Sequence, residues 1–341
     1  MLQWQKGDVF MAIIGNEDHK QRVNLSSLAR TVIEMDQTVF DEGGSFSGFL
    51  NRIITGFREH AEASIDLAVA ERQQQFLSHG CSAETAAGLT AEYRQTLKSK
   101  TKAYPQGDSV MFRLNNYNFQ ILYEDQAEST AYSAPSKYLK ALLEEYARLS
   151  PSERERVYYS SCIEQVLQPA LDAGYLLDLY SGGKHFFLKP HSLMADPFNS
   201  HLYLIGFARR ADKPSDSENI ASFRITRLSK VKYRRQSGRL NAEQKRQIEK
   251  QLQSVGVQYL VGTEDRIKVR LTPAGKQAFL QRSYMRPIPE ATEGDIYHFR
   301  CTPMQIRNYF LSFGKDAEVL EPLSLRKEFS KIYQDAARVY E

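Results

Sequence analysis

The spacing of apolar residues changes period several times along the chain. In "KQRVNL" (Lys20 to Leu25) it is two: Val23 and Leu25 face one way, and Lys20, Arg22 and Asn24 the other, as in a half-buried strand. Leu28, Val32, Met35 and Val39 then fall at spacings of four, three and four, which is helical. Gly43 and Gly44 break that helix, because two glycines cannot hold it against their own backbone freedom. Ser45 or Ser47 can cap the next one, which carries Phe46, Phe49, Leu50, Ile53, Ile54 and Phe57 on one stripe and runs past Ile65. Residues 61–104 read as mostly helical and polar. "VMFRLNNYNFQILYED" reads as a hairpin bending at Asn115-Asn116. Two helices follow, separated at Ser150-Pro151, the second reaching about Leu171.

The middle of the chain switches to short strands. "YLLDLYS" and "KHFFLKP" flank the turn dipeptide Gly182-Gly183, and "HLYLIGFARR", "ASFRIT" and "KVKYRR" complete a set of five. Five such strands behind a helix predict a small, strongly bent antiparallel barrel. In "SFRITRLSKVKYRR" the alternation of Phe223 and Ile225 slips phase before Leu228, Val231 and Tyr233 resume it. The slip predicts a turn or bulge near Arg227 that sets its side chain beside Arg224. Beyond residue 236 a charged helix is followed by strand, helix, strand, helix, strand and helix. Thr272-Pro273 and Thr302-Pro303 open two of those helices.

Charge sharpens this picture. The whole chain is only +4, with 25% charged and 42% hydrophobic residues, ordinary for a globular protein. Met1 to Gly80 holds 7 Lys and Arg against 11 Asp and Glu, a net −4, whereas Lys184 to Arg239 holds 12 against 4, a net +8. The cations of the middle module are either a solvated face or a patch for phosphate. Tyr203, on a neighbouring strand, with Arg224 and Arg227 would form a groove for a phosphate or for a nucleobase stacked on the phenol, and Lys184, His185, Lys189 and Arg209 would add charge. The alternative is that Arg224 and Arg227 pair with carboxylates of the same chain.

Other chemistries find little support. No apolar run approaches the roughly 20 residues of a membrane span. The apolar patch near the N-terminus is short and lacks a small-residue cleavage site, so no signal peptide is expected. Cys81, Cys162 and Cys301 lie far apart, without a CxxC pair, which fits a reducing cytoplasm. Phosphate-loop, dinucleotide, zincin and nucleophile-elbow motifs are absent, and "GGSFSG" lacks the lysine a phosphate loop needs. His185 and His191, or His79 and Cys81, are poorly spaced as metal ligands. Neither a catalytic group, a metal nor a cofactor is expected.

One short strand before two helices leaves both strand edges unpaired, which two copies would cure. Here Lys20 to His60 resembles the ribbon-helix-helix family of dimers. That resemblance implies a homodimer core containing Val23, Leu25, Phe49 and Ile53, with Lys20, Arg22 and Asn24 on the ribbon's outer face; the module either reads nucleic acid or serves dimerisation alone. Residues from about Glu153 to Arg235, with "LKPHSL", "HLYLIGFARR" and "FRITRL", resemble the WYL domain, a small Sm-like barrel; the naming tripeptide reads Leu202-Tyr203-Leu204. "YFLSFGKDAEVLEPLSLR" resembles the C-terminal extension that often follows WYL domains, and its element order suits a ferredoxin-like sandwich. The resulting expectation is a multidomain α+β protein: a ribbon-helix-helix module with helical extension over 1–104, a linker over 105–150, the WYL domain over 151–236 and the extension over 237–341. The combination resembles the WYL accessory proteins encoded beside type VI-D CRISPR systems. It implies a dimer that binds single-stranded RNA and modulates an RNA-cleaving effector nuclease. The competing expectation is a transcription regulator that reads duplex DNA through the ribbon and senses a ligand through the WYL domain.

Overall fold

The structure is a computed structural model describing residues 3–4, 19–99, 104–124, 134–213, 215, 217–257, 260 and 265–341. Most of the N-terminal apolar patch lies outside the described residues. No described helix is long and apolar enough to cross a membrane.

Strand β1 is Gln3–Trp4 and β2 is Lys20–Leu25. In β2, Gln21, Val23 and Leu25 are buried while Lys20, Arg22 and Asn24 are exposed. Helix α1 (Ser27–Phe40) starts at Ser26, whose hydroxyl accepts from Ala29 N. Its buried face is Ala29, Ile33, Asp36 and Phe40; Leu28, Met35 and Val39 are exposed. This corrects the stripe read from sequence. Positions 29, 33, 36 and 40 also repeat at four, three and four, but Asp36 disguises them. Its carboxylate is tolerated inside because Tyr146 Oη donates to it at 2.7 Å and Arg154 Nε at 2.7 Å. Burial first, then that carboxylate, pushes the Tyr146 hydroxyl well above the usual phenol range. Helix α2 (Phe46–Ser78) is capped by Ser45 and buries Phe49, Leu50, Ile53 and Ile54. Helix α3 (Ala83–Ser99) folds back on it.

Strand β3 (Asp108–Arg113) is the second correction. It pairs antiparallel with β2, from Lys20 opposite Arg113 to Leu25 opposite Asp108. One edge of β2 is therefore filled by its own chain, which removes the premise that only a second copy can pair with it. The expected hairpin at Asn115-Asn116 does not form; α4 (Asn116–Phe119) and a wider helical turn (Gln120–Glu124) take its place. A type I′ bend needs positive φ, but Asn115 has φ −73° and caps the turn by accepting from Asn118 N. Asn118 is fully buried, donating to the Asn51 carbonyl and side chain at 3.0 Å each.

Helix α5 (Pro135–Tyr146) precedes α6 (Pro151–Tyr158), which opens with a capping box between Ser150 and Glu153. The helical path continues through α7 (Ser160–Cys162), a π turn, and α8 (Gln168–Ala173), ending on left-handed Gly174. Five strands follow: β4 (Tyr175–Ser181), β5 (Lys184–Ala195), β6 (Leu202–Arg210), β7 (Asn219–Arg224) and β8 (Leu228–Ser237). With β1 they form an antiparallel sheet in the order β1-β8-β4-β5-β6-β7. The phase slip is a 3₁₀ turn, Ile225–Arg227. One core runs from Val23 and Phe49 through Tyr146 and Leu167 to Leu204 and Val231, without a break at Ser150.

The C-terminal part has α9 (Ala242–Val255), β9 (Asp265–Leu271), α10 (Pro273–Gln281), β10 (Pro289–Glu293), β11 (Ile296–Cys301), α11 (Pro303–Phe310), β12 (Ala317–Glu321) and α12 (Leu323–Arg338). Its sheet order is β10-β11-β9-β12, all antiparallel. Strand β10, "PEATE", was not expected, because an edge strand with no buried residue carries no alternation to read. Ile205 and Phe207 of β6 belong to this second core, so the C-terminal part is seated on the outer face of the central sheet.

Candidate nucleic-acid interface

The outer face of β6 carries Tyr203, Ile205, Phe207 and Arg209 in alternation. The middle two are buried in the C-terminal core. Tyr203 and Arg209, six residues or about 20 Å apart along the strand, therefore stand on either side of a covered stretch. The single groove expected from sequence is divided in two.

At one end, Tyr203 lies opposite Arg224 in register. Arg224 Nη2 is 3.5 Å from Glu155 Oε1, on α6. Glu155 is 1% exposed and also accepts from Leu202 N at 2.6 Å, while His201 Nδ1 lies 3.0 Å from it. The Arg224 guanidinium is thus partly neutralised by its own chain, and its Nε is buried without a hydrogen-bond partner among the described residues. Arg227, in the 3₁₀ turn, is exposed and makes no hydrogen bond or ion pair with described residues.

The other end holds the denser cluster. Asp178 of β4 lies opposite both Phe187 of β5 and Lys232 of β8, and Phe187 lies opposite Arg209. The Arg234 guanidinium sits 5.0 Å over the Phe187 ring and that of Arg209 5.9 Å. Beside them, the Tyr180 and His185 rings stack at 4.4 Å and 3°, and Lys230 Nζ lies 5.5 Å over Tyr180. Lys230 adopts φ 51°, a left-handed conformation uncommon for a side-chain-bearing residue. Lys184 is exposed at the adjacent hairpin. Asp178, 2% exposed, accepts from Arg234 Nε at 2.9 Å and Nη2 at 2.6 Å, with His185 Nε2 at 2.7 Å and Lys232 Nζ at 3.7 Å. Burial alone would raise its pKa; the hydrogen bonds from Arg234 and His185 and the charge of Lys232 outweigh that and hold it below the ordinary carboxylate value. Asp178 therefore fixes the positions of the cations more than it cancels them, one carboxylate facing both Arg234 and Lys232. Lys189, by contrast, is tied to Glu218 at 2.7 Å.

Sequence reasoning did not place Tyr180 or Phe187 in the site, and it counted Lys230 and Arg234 among the cations of the last strand without assigning them to the groove. Their signal was present: in "YLLDLYS" the outward parity carries Asp178 and Tyr180, polar and aromatic together. On the N-terminal ribbon, Lys20, Arg22 and Asn24 share the exposed face with Met111 and Arg113, and Arg22 Nε donates to Ser109 Oγ at 2.6 Å. Val23, Leu25, Phe49 and Ile53 are buried within one chain. Among the described residues no group of three or more His, Cys, Asp and Glu side chains is placed to hold a metal ion.

Comparison with known proteins bears on the whole chain. No curated protein matches it. A solved structure described as "Crystal structure of a CRISPR Cas-related protein" aligns over 99% of this chain and 97% of its own, with TM-score 0.72 and 22% identity, a likeness of fold. The proteasome accessory factor B/C of Arthrobacter aurescens aligns over 94% of this chain and 50% of its own at 13% identity, with a TM-score of 0.28 too low to bear on the fold. Residues 263–337, which span β9 to α12, match the WCX domain. Residues 263–337 thus resemble a WCX domain, and the chain as a whole shares its fold with the solved structure described as a CRISPR Cas-related protein.

Proposed function

We propose that this chain is a non-catalytic accessory protein that binds single-stranded RNA and modulates an RNA-targeting CRISPR effector nuclease. The observation that carries the reading is the pair of aromatic platforms on the central sheet, Phe187 beneath Arg209 and Arg234, and Tyr180 beneath Lys230. A single strand offers unpaired bases and one phosphate per step, and stacking contributes about 1–3 kcal/mol per base. The described name of the structural neighbour and the WCX match favour a CRISPR setting. On this reading the central sheet is a WYL-type, Sm-like barrel, the C-terminal sheet is ferredoxin-like, and the N-terminal module is a variant ribbon-helix-helix whose second strand comes from the same chain. The divisions fall near 104, 150 and 236.

The reading also includes a homodimer through the N-terminal module. The dimer would use the exposed stripe of α1, Leu28, Met35 and Val39, in place of the already buried Val23, Leu25, Phe49 and Ile53. Met35→Glu should turn a dimer into a monomer in sedimentation.

One observation favours a second reading. Lys20, Arg22 and Asn24 lie on one exposed ribbon face, as a duplex-reading regulator would need. Fluorescence anisotropy with labelled single-stranded RNA and duplex DNA separates the two. Loss of RNA binding in Arg209→Ala/Arg234→Ala supports the accessory role, whereas loss of duplex binding in Lys20→Ala/Arg22→Ala supports the regulator. An affinity indifferent to salt would refute both, since phosphate contacts release counterions.

A further inference from the structure

The C-terminal part carries a separate cationic and aromatic cluster. After α10 the chain runs "RSYMRP", 282–287. Arg282 lies 4.9 Å over the Phe313 ring and donates to Ser312 Oγ at 2.7 Å. Arg286 lies 5.6 Å over Phe279 and donates to the Phe279 and Leu280 carbonyls, both at 3.3 Å, at the end of α10. Each guanidinium is therefore held by one ring face and one nitrogen. Neither forms an ion pair with any described carboxylate, so their charges remain uncancelled. Met285 between them has φ 54°, a tight reversal that a residue with a side chain adopts at a cost of about 1–2 kcal/mol. Capping α10 accounts for the nitrogens that reach its carbonyls. It does not account for two neighbouring uncancelled charges.

Tyr284 stands between the two arginines, 52% exposed, and its hydroxyl has no hydrogen-bond partner among the described residues. Its ring lies 4.4 Å from that of Phe198, 43% exposed, in the β5–β6 connection. That connection is fixed from below. Asp196, 2% exposed, accepts from Phe198 N at 2.9 Å, Ser200 N at 3.2 Å and His201 N at 2.7 Å. The same connection leads directly into β6, where Tyr203 lies opposite Arg224. Two exposed rings, one of them two residues in sequence from each of two pre-positioned guanidiniums, suit a ligand that is both planar and anionic. An acidic peptide would use the charges and leave the rings bare.

We propose that Phe198, Arg282, Tyr284 and Arg286 form a second contact for single-stranded nucleic acid, so that one strand is held both on the central sheet and on the C-terminal part. This rests on the nucleic-acid reading above. The test uses the full chain and fluorescence anisotropy with labelled oligouridine of 4 and 20 nucleotides. The variants are Arg282→Gln/Arg286→Gln, Tyr284→Ala, and Arg209→Ala/Arg234→Ala for the sheet face. The arginine pair should weaken the 20-mer about tenfold and lower its logarithmic salt slope by about 1.4, at roughly 0.7 per phosphate contact on a single strand. Tyr284→Ala, which touches neither charge nor helix cap, should weaken the 20-mer and leave the salt slope unchanged. A 4-mer, too short to reach both contacts, should lose no more than a few-fold in either loop variant. The sheet-face variant should weaken both lengths. The proposal is overturned if the loop variants bind the 20-mer like wild type while the sheet-face variant does not, or if polyglutamate displaces RNA from wild type and Tyr284→Ala equally well and at the concentrations at which unlabelled RNA does. No binding of either length by wild type would sink the nucleic-acid reading itself, and the second contact with it.

Discussion

Asp178→Asn tests the electrostatic construction of the central sheet. The carboxylate is almost wholly buried and holds Arg234 by two nitrogens, at 2.9 and 2.6 Å, with His185 at 2.7 Å and Lys232 at 3.7 Å. Removing one partner of a fully buried ion pair costs about 3–5 kcal/mol. Arg234 is 37% exposed and Lys232 31%, so water recovers part of that; the asparagine also keeps one acceptor. A loss of about 2 kcal/mol at neutral pH remains, read as a lower urea midpoint at unchanged slope. The sign of the pH dependence follows from the depressed folded pKa. Stabilisation by Asp178 is fully present above the unfolded carboxyl value, about 3.9, and is lost as pH falls through the lower folded value. The gap between wild type and Asp178→Asn should therefore close in acid. A gap equally wide at neutral pH and at about pH 2.5 would show that the loss comes from packing and not from the ion pair. The same substitution adds one net positive charge beneath the platforms, so the salt slope for single-stranded RNA should steepen; a shallower slope would mean that Arg234, once untethered, leaves the site.

Three further outcomes follow from single contacts. In a double-mutant cycle, Asp36→Asn and Tyr146→Phe should be less than additive by about 0.5–3 kcal/mol in chemical denaturation, because they share a 2.7 Å hydrogen bond between α1 and α5. Gly206→Ala should destabilise by about 1–3 kcal/mol, since a Cβ there would meet the Lys189 carbonyl at 2.1 Å; an unchanged midpoint would mean that β5 and β6 part freely. Phe310→Ala should cost about 3–5 kcal/mol, as its fully buried ring touches Phe279, Phe299, Tyr309 and Phe313. Limited proteolysis should show that loss first within residues 265–341.

Local signals were legible where a short stretch fixes its own conformation. The Ser45 cap, the Gly182-Gly183 turn and the alternation of β2 and β9 all depend on residues a few positions apart. What sequence could not supply was the partner. The α1 stripe of Leu28, Val32, Met35 and Val39 is as good a helical pattern as the one actually buried. The choice between them is made by Tyr146 and Arg154, more than 100 residues later, which admit Asp36 to the interior. Likewise β2 looked unpaired because β3, its partner, follows 87 residues on from Arg22 to Ser109.

The same reasoning explains the candidate site. Tyr203 and Arg224 were placed together correctly because antiparallel register and parity carry that information. Glu155 was missed because it approaches Arg224 from a helix 69 residues upstream. Parity also placed Tyr203 and Arg209 on one face, but parity cannot say what covers the two residues between them. Ile205 and Phe207 are what a barrel interior would contain, and they point outward. Their burial requires a second layer, and the C-terminal part supplies it. A variant such as Phe207→Glu should therefore loosen the C-terminal part from the central sheet and destabilise both, whereas the same change in a sheet without that second layer would leave an ordinary solvated face. The C-terminal part thus divides the outer face of the central sheet by taking Ile205 and Phe207 into its own core, so a ligand spanning Arg209 and Tyr203 would have to cross the surface of that part.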